Sequence, residues 1–527
     1  MHQKRSPKFV TSGNVARKGI LAGALKLSKT VATSYGPGGR TALLDRFAGL
    51  LITRDGVTIA REVELEDPLE NLGCKILKET CLKVNERAGD GTTTTAVLAG
   101  EILQQGHKMV LAGHDPNLLT KGVRWASQQV IESLQGQVLP VEDPAVLEQV
   151  ALISSNGDEE IARHLADAIL GVGKDGTVSI ETGEGRTVEV IFKEGIEYPS
   201  GPASTVFLGT NTERILDKPL VAVVMGTLST VADVQDILEE ASQYGHELLL
   251  IAESIIGEAL QTIVLNDSKG VVKCVAFGGS GLGLRRKGPL EDICALSGAT
   301  LVDRLGGMSL QGFPSEWFGG FQSVQVGMSK AVFTAVPEAH DSVAARVEQL
   351  QEEMLNSPHE YDRDRLRERI AKLQGGMAIL KVGGETEAEI KERRARIEDA
   401  LGATQSALKA GVVPGGGAAY LHALATLQSP IGEHPDFLIG VQVLKKALES
   451  PTRQIVSNAF QSADFIIASS VGQPERFGWD VKQACFRDLF TMPMVIDPYL
   501  VSSLALETAV SVACTLLTAE AAILPKK

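Results

Sequence analysis

The most distinctive segment of the chain reads Ala-Gly-Asp-Gly-Thr-Thr-Thr-Thr, from residue 88 to residue 95, and an apolar run at helical spacing follows over residues 96–103. Glycines let a backbone approach a phosphate closely, and a helix N-terminus with threonine hydroxyls supplies hydrogen-bond donors. Asp90 in the turn is a candidate Mg²⁺ ligand, because Mg²⁺ prefers one or two carboxylates together with phosphate oxygens. The alternative is a threonine-rich helix cap after a plain Asp-Gly turn, but four consecutive threonines exceed what capping needs.

Three further segments have the composition of ligand-binding loops. Residues 36–40 read Gly-Pro-Gly-Gly-Arg, residues 54–56 read Arg-Asp-Gly, and residues 415–417 are three glycines. Each of them alone is also typical of an ordinary tight turn. The chain has neither a G-x-x-x-x-G-K-[ST] phosphate loop nor a G-x-G-x-x-G segment after a predicted strand. A nucleotide site in this chain would therefore be of another type.

Composition narrows the class of protein. The 527 residues are 44% hydrophobic and 22% charged, which is typical of a folded protein of about three domains. The net charge of −14 argues against general nucleic-acid binding, because an acidic surface repels phosphates. Six scattered cysteines without a C-x-x-C pair predict no zinc site and favour a reducing, cytoplasmic location. The apolar C-terminal run contains Glu507 and Glu520, so no membrane span is predicted.

Hydrophobic periodicity predicts a chain that is helical at both ends and mixed in its centre. Short β-like runs cover residues 41–44 and 51–53. Residues 194–376 alternate predicted strands and helices, which is typical of an α/β unit. Helical pattern covers residues 14–34, 69–134 with a break at 88–91, 343–374 as a charged hairpin, and 387–401.

Taken together, these segments resemble the ATP-site blocks of group I chaperonins, the GroEL type. The similarity runs in one order from about Phe9 to residues 524–526, so it covers almost the whole chain and is highly specific. The resemblance implies an ATP-dependent machine that encloses non-native polypeptides and promotes their folding. The matching blocks are residues 36–40, 53–57, 64–67, 88–94, 396–401 with Glu398-Asp399, 411–417, and Asp497-Pro498.

The resemblance also implies a multi-domain α and α/β chaperonin fold. Residues 1–136 and 411–527 would form a mainly helical equatorial domain that binds ATP. Residues 137–193 and 377–410 would form a small α/β intermediate domain that acts as a hinge, and residues 194–376 an α/β apical domain that binds substrate. The domains are therefore expected to be nested along the chain.

Site residues are implied by the same resemblance. Asp55 and Asp399 correspond to the catalytic carboxylates that orient the attacking water, and Asp90 to the Mg²⁺ ligand. A K⁺ ion is allowed beside them, although Arg54 stands where lysine is usual. Phosphoryl transfer depends mainly on positioning and charge stabilisation, so carboxylates, metal and helix N-terminus are a sufficient set. The implied nucleotide contacts are Ser34, Tyr35, Gly36, Pro37, Arg54, Asp90, Gly91, Thr92, Thr93, Thr94, Gly416, Asp480 and Asp497.

Two apolar stripes at helical spacing, over residues 232–244 and 255–266, have two interpretations. They are either core positions or, as in the family, an exposed groove that captures non-native chains and a GroES-type co-chaperonin. Pro202 and Val206 stand where tyrosines are usual, and Gln235 stands where leucine is usual. The groove positions implied by the resemblance are Phe207, Leu238, Leu260, Val264 and Leu265.

Assembly is expected to follow the family, with homo-oligomeric rings of seven subunits. Ser200 replaces the arginine that usually pairs with the residue at Glu387, and Ser462 stands where the acidic partner of Arg453 is expected. The number of rings therefore stays open. A passive ring that shields clients without coupling to ATP is the alternative function, and retention of Asp55, Asp90 and Asp399 favours the ATPase.

Overall fold

The computed structural model describes residues 8–46, 49–173, 176–183, 185–193, 195–198, 200–209, 212–278, 287–304, 306–336, 339–357, 360–374 and 377–525. The chain divides into two compact units, and the first is built from both chain ends, Met1–Ala166 and Thr386–Lys527. The second unit, Asp167–Glu385, is inserted between them. Residues 194 and 376, which bound the predicted apical segment, lie outside the described residues, and the three-domain division stays a prediction.

Helices occupy most of the first unit and flank the sheets of the second. In chain order they are α1 (Gly13–Ala32), α2 (Gly56–Glu62), α3 (Pro68–Ala88), α4 (Thr92–Leu111), α5 (Pro116–Gly136), α6 (Pro144–Ser154), α7 (Glu159–Val172), α8 (Gln235–Tyr244), α9 (Gly257–Lys269), α10 (Lys287–Ser297), α11 (His340–Asn356), α12 (Glu360–Gln374), α13 (Glu387–Ala410), α14 (Ala418–Thr426), α15 (Pro435–Leu448), α16 (Ser450–Asn458), α17 (Ala463–Ser470) and α18 (Tyr499–Thr518).

Strands are short in the first unit and longer in the second. In chain order they are β1 (Lys8–Ser12), β2 (Ala42–Arg46), β3 (Gly49–Thr53), β4 (Thr177–Thr182), β5 (Val188–Lys193), β6 (Gly195–Tyr198), β7 (Glu213–Asp217), β8 (Leu220–Leu228), β9 (Leu248–Ile255), β10 (Cys274–Gly278), β11 (Leu301–Asp303), β12 (Gly319–Gly320), β13 (Ser323–Gly327), β14 (Ala331–Thr334), β15 (Met377–Val382), β16 (Val412–Pro414), β17 (Phe477–Asp480), β18 (Cys485–Asp488), β19 (Ile496–Pro498) and β20 (Ala521–Pro525).

Helix packing forms the core of the first unit. The helices α1, α3, α4, α5, α15 and α18 pack against one another. The helix α18 is long and apolar enough to cross a membrane by length and composition, yet most of it is buried inside this unit. It contacts α4 and α5 along its length, so its apolar character is explained by its place at the centre of the core.

Two-stranded antiparallel ladders complete the first unit. Strand β1 pairs with β20, which joins the two ends of the chain, and β2 pairs with β3 as a hairpin. The third ladder, β16 with β19, sets Val413 opposite Asp497. Aspartate side chains cap α2, α3, α5 and α6, and a proline opens each of the last three, as expected for helix N-termini.

Sheets dominate the second unit. Parallel strands in the order β10-β9-β8-β11 form one sheet, with β12 added antiparallel to β8. A second sheet has the order β6-β14-β13-β7, and a third has the order β4-β15-β5. The central strands β8, β9 and β10 are buried along most of their length, as expected of parallel strands covered on both faces. The α/β character predicted for the centre of the chain is confirmed.

Most predicted elements are confirmed, and their ends are corrected. The helix predicted over residues 14–34 is α1, and the hairpin over residues 343–374 consists of α11 and α12. The strands predicted over residues 41–44 and 51–53 are β2 and β3. The helix predicted to end at residue 401 continues through Gly402 as α13 to Ala410, and it ends where Gly411 takes φ +80°.

Candidate functional site

The glycine segment singled out in the sequence lies between α3 and α4. Gly89 is the C-cap of α3, in the left-handed conformation with φ +76°, and Gly91 is the N-cap of α4, with φ +103°. No side chain caps α4, so the N–H groups of its first turn have no partner within the helix. The hydroxyls of Thr92 and Thr95 are also buried without a hydrogen-bond partner. Unused donors at a helix N-terminus suit an anionic ligand such as a phosphate.

Four aspartates from different elements of the first unit meet near this helix end. Asp55 caps α2, where its carboxylate accepts from the N–H groups of Val57 and Thr58 at 3.1 Å and 2.7 Å. Asp90 directly precedes the glycine that begins α4, and Asp399 is on α13. The fourth, Asp497, is on β19. The sequence places these residues far apart, and the fold brings them together.

The charges of these four carboxylates act on one another. Burial, followed by the charges of Asp55 and Asp90, raises the pKa of Asp399 to about 8. Burial and the charge of Asp90 raise the pKa of Asp497 to about 7. The pKa of Asp90 is also raised, by burial above all. A metal ion or a bound cationic group beside these carboxylates would favour their charged forms.

A hydrogen bond joins the loop after α1 to the first turn of α4. The phenol of Tyr35 lies 2.7 Å from Oγ1 of Thr94. The side chain of Asn458 donates to the backbone oxygens of Ala32 and Tyr35, both at 2.9 Å, and so fixes the start of the loop. Gly36 continues the loop with φ +76°. These bonds place Tyr35 next to the first turn of α4, and a nucleotide contact for residues 34–37 stays a prediction.

Ser34, one of the predicted nucleotide contacts, has a side chain that is bonded within its own helix end. Its hydroxyl donates to the backbone oxygen of Val31 at 2.9 Å, in the last turn of α1. This bond is local to the helix end, so the side chain is already used. A contact between Ser34 and a nucleotide would then come from its backbone.

Of the two predicted nucleotide contacts Gly416 and Arg54, only Gly416 is hydrogen-bonded to one of the four aspartates. The backbone N–H of Gly416 donates to the Asp497 carboxylate, which brings this predicted contact into the site. Arg54 is exposed, and its Nε donates to Oγ1 of Thr41 at 3.2 Å on the β2–β3 side. No observation tests a K⁺ site at Arg54, which stays a prediction.

Asp480 is the predicted contact whose side chain is already engaged. It is buried, and it accepts from Nε of Arg487 at 2.8 Å and from the N–H groups of Lys482 and Gln483. A buried carboxylate with an arginine and two backbone donors holds the β17–β18 turn together. A contact with an adenine base would therefore require the backbone at this position or a rearrangement of the Arg487 pair.

The donor set suits a magnesium ion that is shared with a phosphate. Within the described ranges, no group of three or more His, Cys, Asp or Glu side chains is arranged to hold a metal ion by itself. Mg²⁺ in phosphate sites usually takes one or two carboxylates and completes its six ligands with water and phosphate oxygens. Asp90, with the other three carboxylates around it, fits that pattern, whereas a metal site made by protein alone does not.

Sequence reasoning missed two residues that contact the carboxylates. Nδ2 of Asn85, on α3, donates to Oδ1 of Asp399 at 3.3 Å. The hydroxyl of Ser154, at the end of α6, hydrogen-bonds to Asp90. Both lie in ordinary amphipathic helices, and nothing in the local pattern separates them from surface polar residues. Only the packing of α3 and α6 beside α13 identifies them.

Comparison with known proteins decides the family. The family model described as the TCP-1/cpn60 chaperonin family matches residues 27–231 and 227–527. The chain belongs to the TCP-1/cpn60 chaperonin family.

Solved chaperonin structures share the fold. The structure of this chaperonin is similar to crystal form II of the chaperonin gp146 from the bacteriophage EL 2 (Pseudomonas aeruginosa) in the presence of ATP-BeFx, with a TM-score of 0.72 and 21% sequence identity over 100% of both chains. Crystal form I of the same protein gives a TM-score of 0.67 and 20% identity, covering 98% of this chain and 99% of that one. The chaperonin fold expected from the sequence is confirmed.

In the second unit of this chaperonin, the predicted groove positions are only partly exposed. Phe207 and Leu238 are buried in the core, because the apolar face of α8 and the short 3-10 helix at residues 205–208 pack onto the sheet. Leu260 and Val264 on α9 are half-buried, and Leu265 is 52% exposed. The core interpretation therefore holds for Phe207 and Leu238 in this structure, and the three α9 residues are the accessible part of the set.

A cavity of about 700 Å³ lies next to these residues in the second unit. Its walls come from the 3-10 helix, from β7 and from the end of α9. Arg214 crosses it, with its guanidinium within 3.0 Å of both oxygens of Asp267 and donating to the backbone oxygen of Phe207 at 3.1 Å. These bonds tie the end of α9 to β7 and to the 3-10 helix.

One of the expected assembly residues of the chaperonin, Arg453, forms ion pairs within the chain. Arg453 is paired within its own chain with Glu449 and Asp464. Asp464, one of these two partners, lies two residues after Ser462. The effect on ring number stays open.

Proposed function

We propose that this chaperonin is an ATPase that encloses non-native polypeptides in a homo-oligomeric ring and promotes their folding through ATP-driven domain movements. The observation that carries the proposal is the meeting of Asp55, Asp90, Asp399 and Asp497 at the uncapped start of α4. Burial and neighbouring carboxylates raise the pKa values of Asp90, Asp399 and Asp497, and groups with perturbed pKa values cluster at functional sites. A Mg²⁺ ion bound with ATP would relieve this repulsion.

The first turn of α4 and Asp90 would bind the nucleotide. The N–H groups and hydroxyls of Thr92, Thr93 and Thr94 are donors suited to phosphate oxygens. Asp90 would hold Mg²⁺, which supplies charge neutralisation on the phosphates when it is bound. Gly416 and Asp497, on neighbouring segments, would contact the adenosine part.

Asp399 is suited to accept a proton from the attacking water. Its pKa is about 8 in the chain alone, and a bound Mg²⁺ ion would favour the ionised form that accepts the proton. Asp55 is fixed by the two N–H groups of the α2 N-terminus, so it can orient the same water without moving. These two residues are therefore the proposed catalytic pair.

Polypeptide handling would belong to the second unit. Leu265 and the half-buried Leu260 and Val264 offer an apolar surface on α9, and non-native chains expose apolar segments. The solved gp146 structures were obtained with ATP-BeFx, which supports nucleotide binding in a chaperonin of this fold. Seven-subunit rings, a GroES-type co-chaperonin and a cytoplasmic location remain part of the proposal, and six free cysteines are in keeping with the last.

Substitution of Asp399 tests the ATPase. We expect Asp399→Ala to bind ATP with near-normal affinity and to hydrolyse it at least about 100-fold more slowly, the scale of a lost general base. Calorimetry of ATP binding and a phosphate-release assay would measure the two effects separately. Glu398→Ala is the matched control, because Glu398 is the exposed neighbour that pairs with Arg394 on the same helix. Normal turnover in Asp399→Ala would exclude the assignment, and absent turnover in the unmodified protein would favour the passive ring.

A further inference from the structure

Asn85 is the side chain that hydrogen-bonds to the proposed base. It lies in the last turn of α3, and its Nδ2 donates to Oδ1 of Asp399 at 3.3 Å. The charged neighbours of Asp399 include Asp55 and Asp90, which repel its ionised form, whereas the amide of Asn85 favours that form. Asn85 therefore fixes the direction in which the Asp399 carboxylate points.

The other end of the Asn85 amide has no protein partner. Its Oδ1 is buried, yet it accepts no hydrogen bond within the described residues. Buried amide oxygens are normally satisfied by protein or by an ordered water. The backbone oxygen of Asn85 accepts from the N–H of Gly89, so the turn that leads to Asp90 is tied to the same residue.

A water molecule is the kind of partner that would suit these two acceptors. The Asn85 oxygen and the Asp399 carboxylate both accept hydrogens, and Asp399 is next to Asp55 and Asp90. A water molecule has two hydrogens and can donate one to each acceptor. This arrangement turns a lone pair of the water oxygen away from both, as a nucleophile requires.

We propose that Asn85 orients both Asp399 and the water that attacks ATP, so it is a positioning residue beside the proposed catalytic pair. The inference rests on the proposed ATPase function. In the step, the water oxygen forms a bond to the γ-phosphorus while the bond from that phosphorus to the bridging oxygen of ADP breaks. The electron pair leaves with ADP, and the proton of the water passes to Asp399. The second hydrogen stays on the product phosphate, and its hydrogen bond to Oδ1 of Asn85 breaks as the phosphate leaves.

Single-turnover hydrolysis by Asn85→Leu tests the inference. Leucine has a similar volume but neither donates nor accepts, so the rate constant should fall at least about tenfold while ATP affinity changes less than about threefold. In an Asp399→Ala background the same substitution should change the residual rate less than about twofold, because the two residues act on one water.

Asn71→Leu is the matched control on the same helix. Oδ1 of Asn71 accepts from the N–H of Leu65, a structural bond, so this variant should lose thermal stability and keep its rate constant. An unchanged rate in Asn85→Leu would overturn the inference and leave the ATPase intact. An equal loss in the presence and absence of Asp399 would also overturn it. Absence of hydrolysis in the unmodified protein would instead overturn the proposed function, and with it this inference.

Discussion

Gly89 and Gly402 pack backbone against backbone, with no room for a side chain between them. A Cβ atom at Gly89 would lie 2.1 Å from Cα of Gly402, and one at Gly402 would lie 2.3 Å from Cα of Gly89. Gly89 precedes Asp90, and Gly402 is one helical turn after Asp399 on α13. This contact therefore sets how closely the two carboxylates approach, and the hydrogen bond from Ser406 to the Ala88 oxygen at 2.8 Å reinforces it.

Substitution of Gly402 should uncouple binding from hydrolysis. In an ordinary helix interior, glycine to alanine stabilises by about 1 kcal/mol. In Gly402→Ala the new methyl group would force α13 away from the end of α3, so Asp399 would leave its position. We expect turnover to fall at least about tenfold, with ATP affinity nearly unchanged, as measured by steady-state kinetics and calorimetry.

Gly136→Ala provides the control for that experiment. Gly136 ends α5, and a Cβ atom there would meet nothing within 4 Å. This variant should keep full turnover. Equal turnover in Gly402→Ala and Gly136→Ala would mean that the glycine contact does not position Asp399.

The phenol of Tyr35 should support phosphate binding through Thr94. Burial, and then the charge of Asp497, raises the pKa of Tyr35 above its ordinary value, so the phenol stays protonated and can donate. When the phenol is the donor in its 2.7 Å hydrogen bond with Oγ1 of Thr94, the threonine hydrogen is free for a phosphate oxygen. We expect Tyr35→Phe to weaken ATP binding about threefold to tenfold, the equivalent of one hydrogen bond.

Tyr244→Phe is the appropriate comparison, because Tyr244 is 49% exposed on α8 in the second unit. It should bind ATP like the unmodified protein when both variants are titrated by calorimetry. Tighter ATP binding in Tyr35→Phe would show that the phenol competes with the phosphate for Thr94.

The stability of the nucleotide-free protein should depend on pH through Asp399. Its pKa is about 8 in the folded chain, above the ordinary value near 4, so the folded state binds the proton more tightly. The stabilisation of the folded state by the proton on Asp399 is fully present at low pH and is lost as pH rises toward 8. Asp399→Asn cannot titrate at this position, so its free energy of unfolding should not show this loss. Relative to the unmodified protein, the free energy of unfolding of Asp399→Asn should be at least about 1 kcal/mol higher at pH 9 than it is at pH 5.

Chemical denaturation at the two pH values would measure this difference. Glu398→Gln, at the exposed neighbouring position, should show no such change between pH 5 and pH 9. The same difference at both pH values for Asp399→Asn would mean that the carboxyl titrates normally in the folded protein.

Capture of non-native chains should depend on the exposed end of α9. We expect Leu265→Ser to reduce binding of a chemically denatured protein severalfold without a change in thermal stability, because Leu265 is 52% exposed. Leu238→Ser should instead lower stability by about 2 kcal/mol or more, since Leu238 is buried. Met328→Ser, at a 64% exposed apolar position after β13, is the control for capture. Equal capture of the denatured protein by Leu265→Ser and Met328→Ser would show that α9 is not part of the binding surface.

The sequence predicted elements better than it predicted exposure. Periodicity located α1, the α11–α12 hairpin and the β2–β3 hairpin, because each is formed by residues close along the chain. The apolar stripes over α8 and α9 could not separate an exposed groove from a core face, since both have the same spacing. Burial of Leu238 follows from the sheet beneath α8, which is built from strands distant in sequence.

In the candidate site, the loops could be predicted from the sequence, and the helix residues that position them could not. The glycines and aspartates at residues 55, 89–91 and 416 can be recognised in the sequence from local composition and from resemblance to the family. Asn85 and Gly402 lie inside long helices, where asparagine and glycine have no special signal. Their roles depend on the packing of α3 against α13, two helices that are separated by some 300 positions along the chain.

Refolding of a denatured client with and without ATP tests the central claim most directly. The unmodified chaperonin should raise the yield of active client only when ATP is hydrolysed, and Asp399→Ala should capture the client but fail to raise the yield. An equal yield from both proteins, with or without ATP, would contradict the account and identify a passive ring.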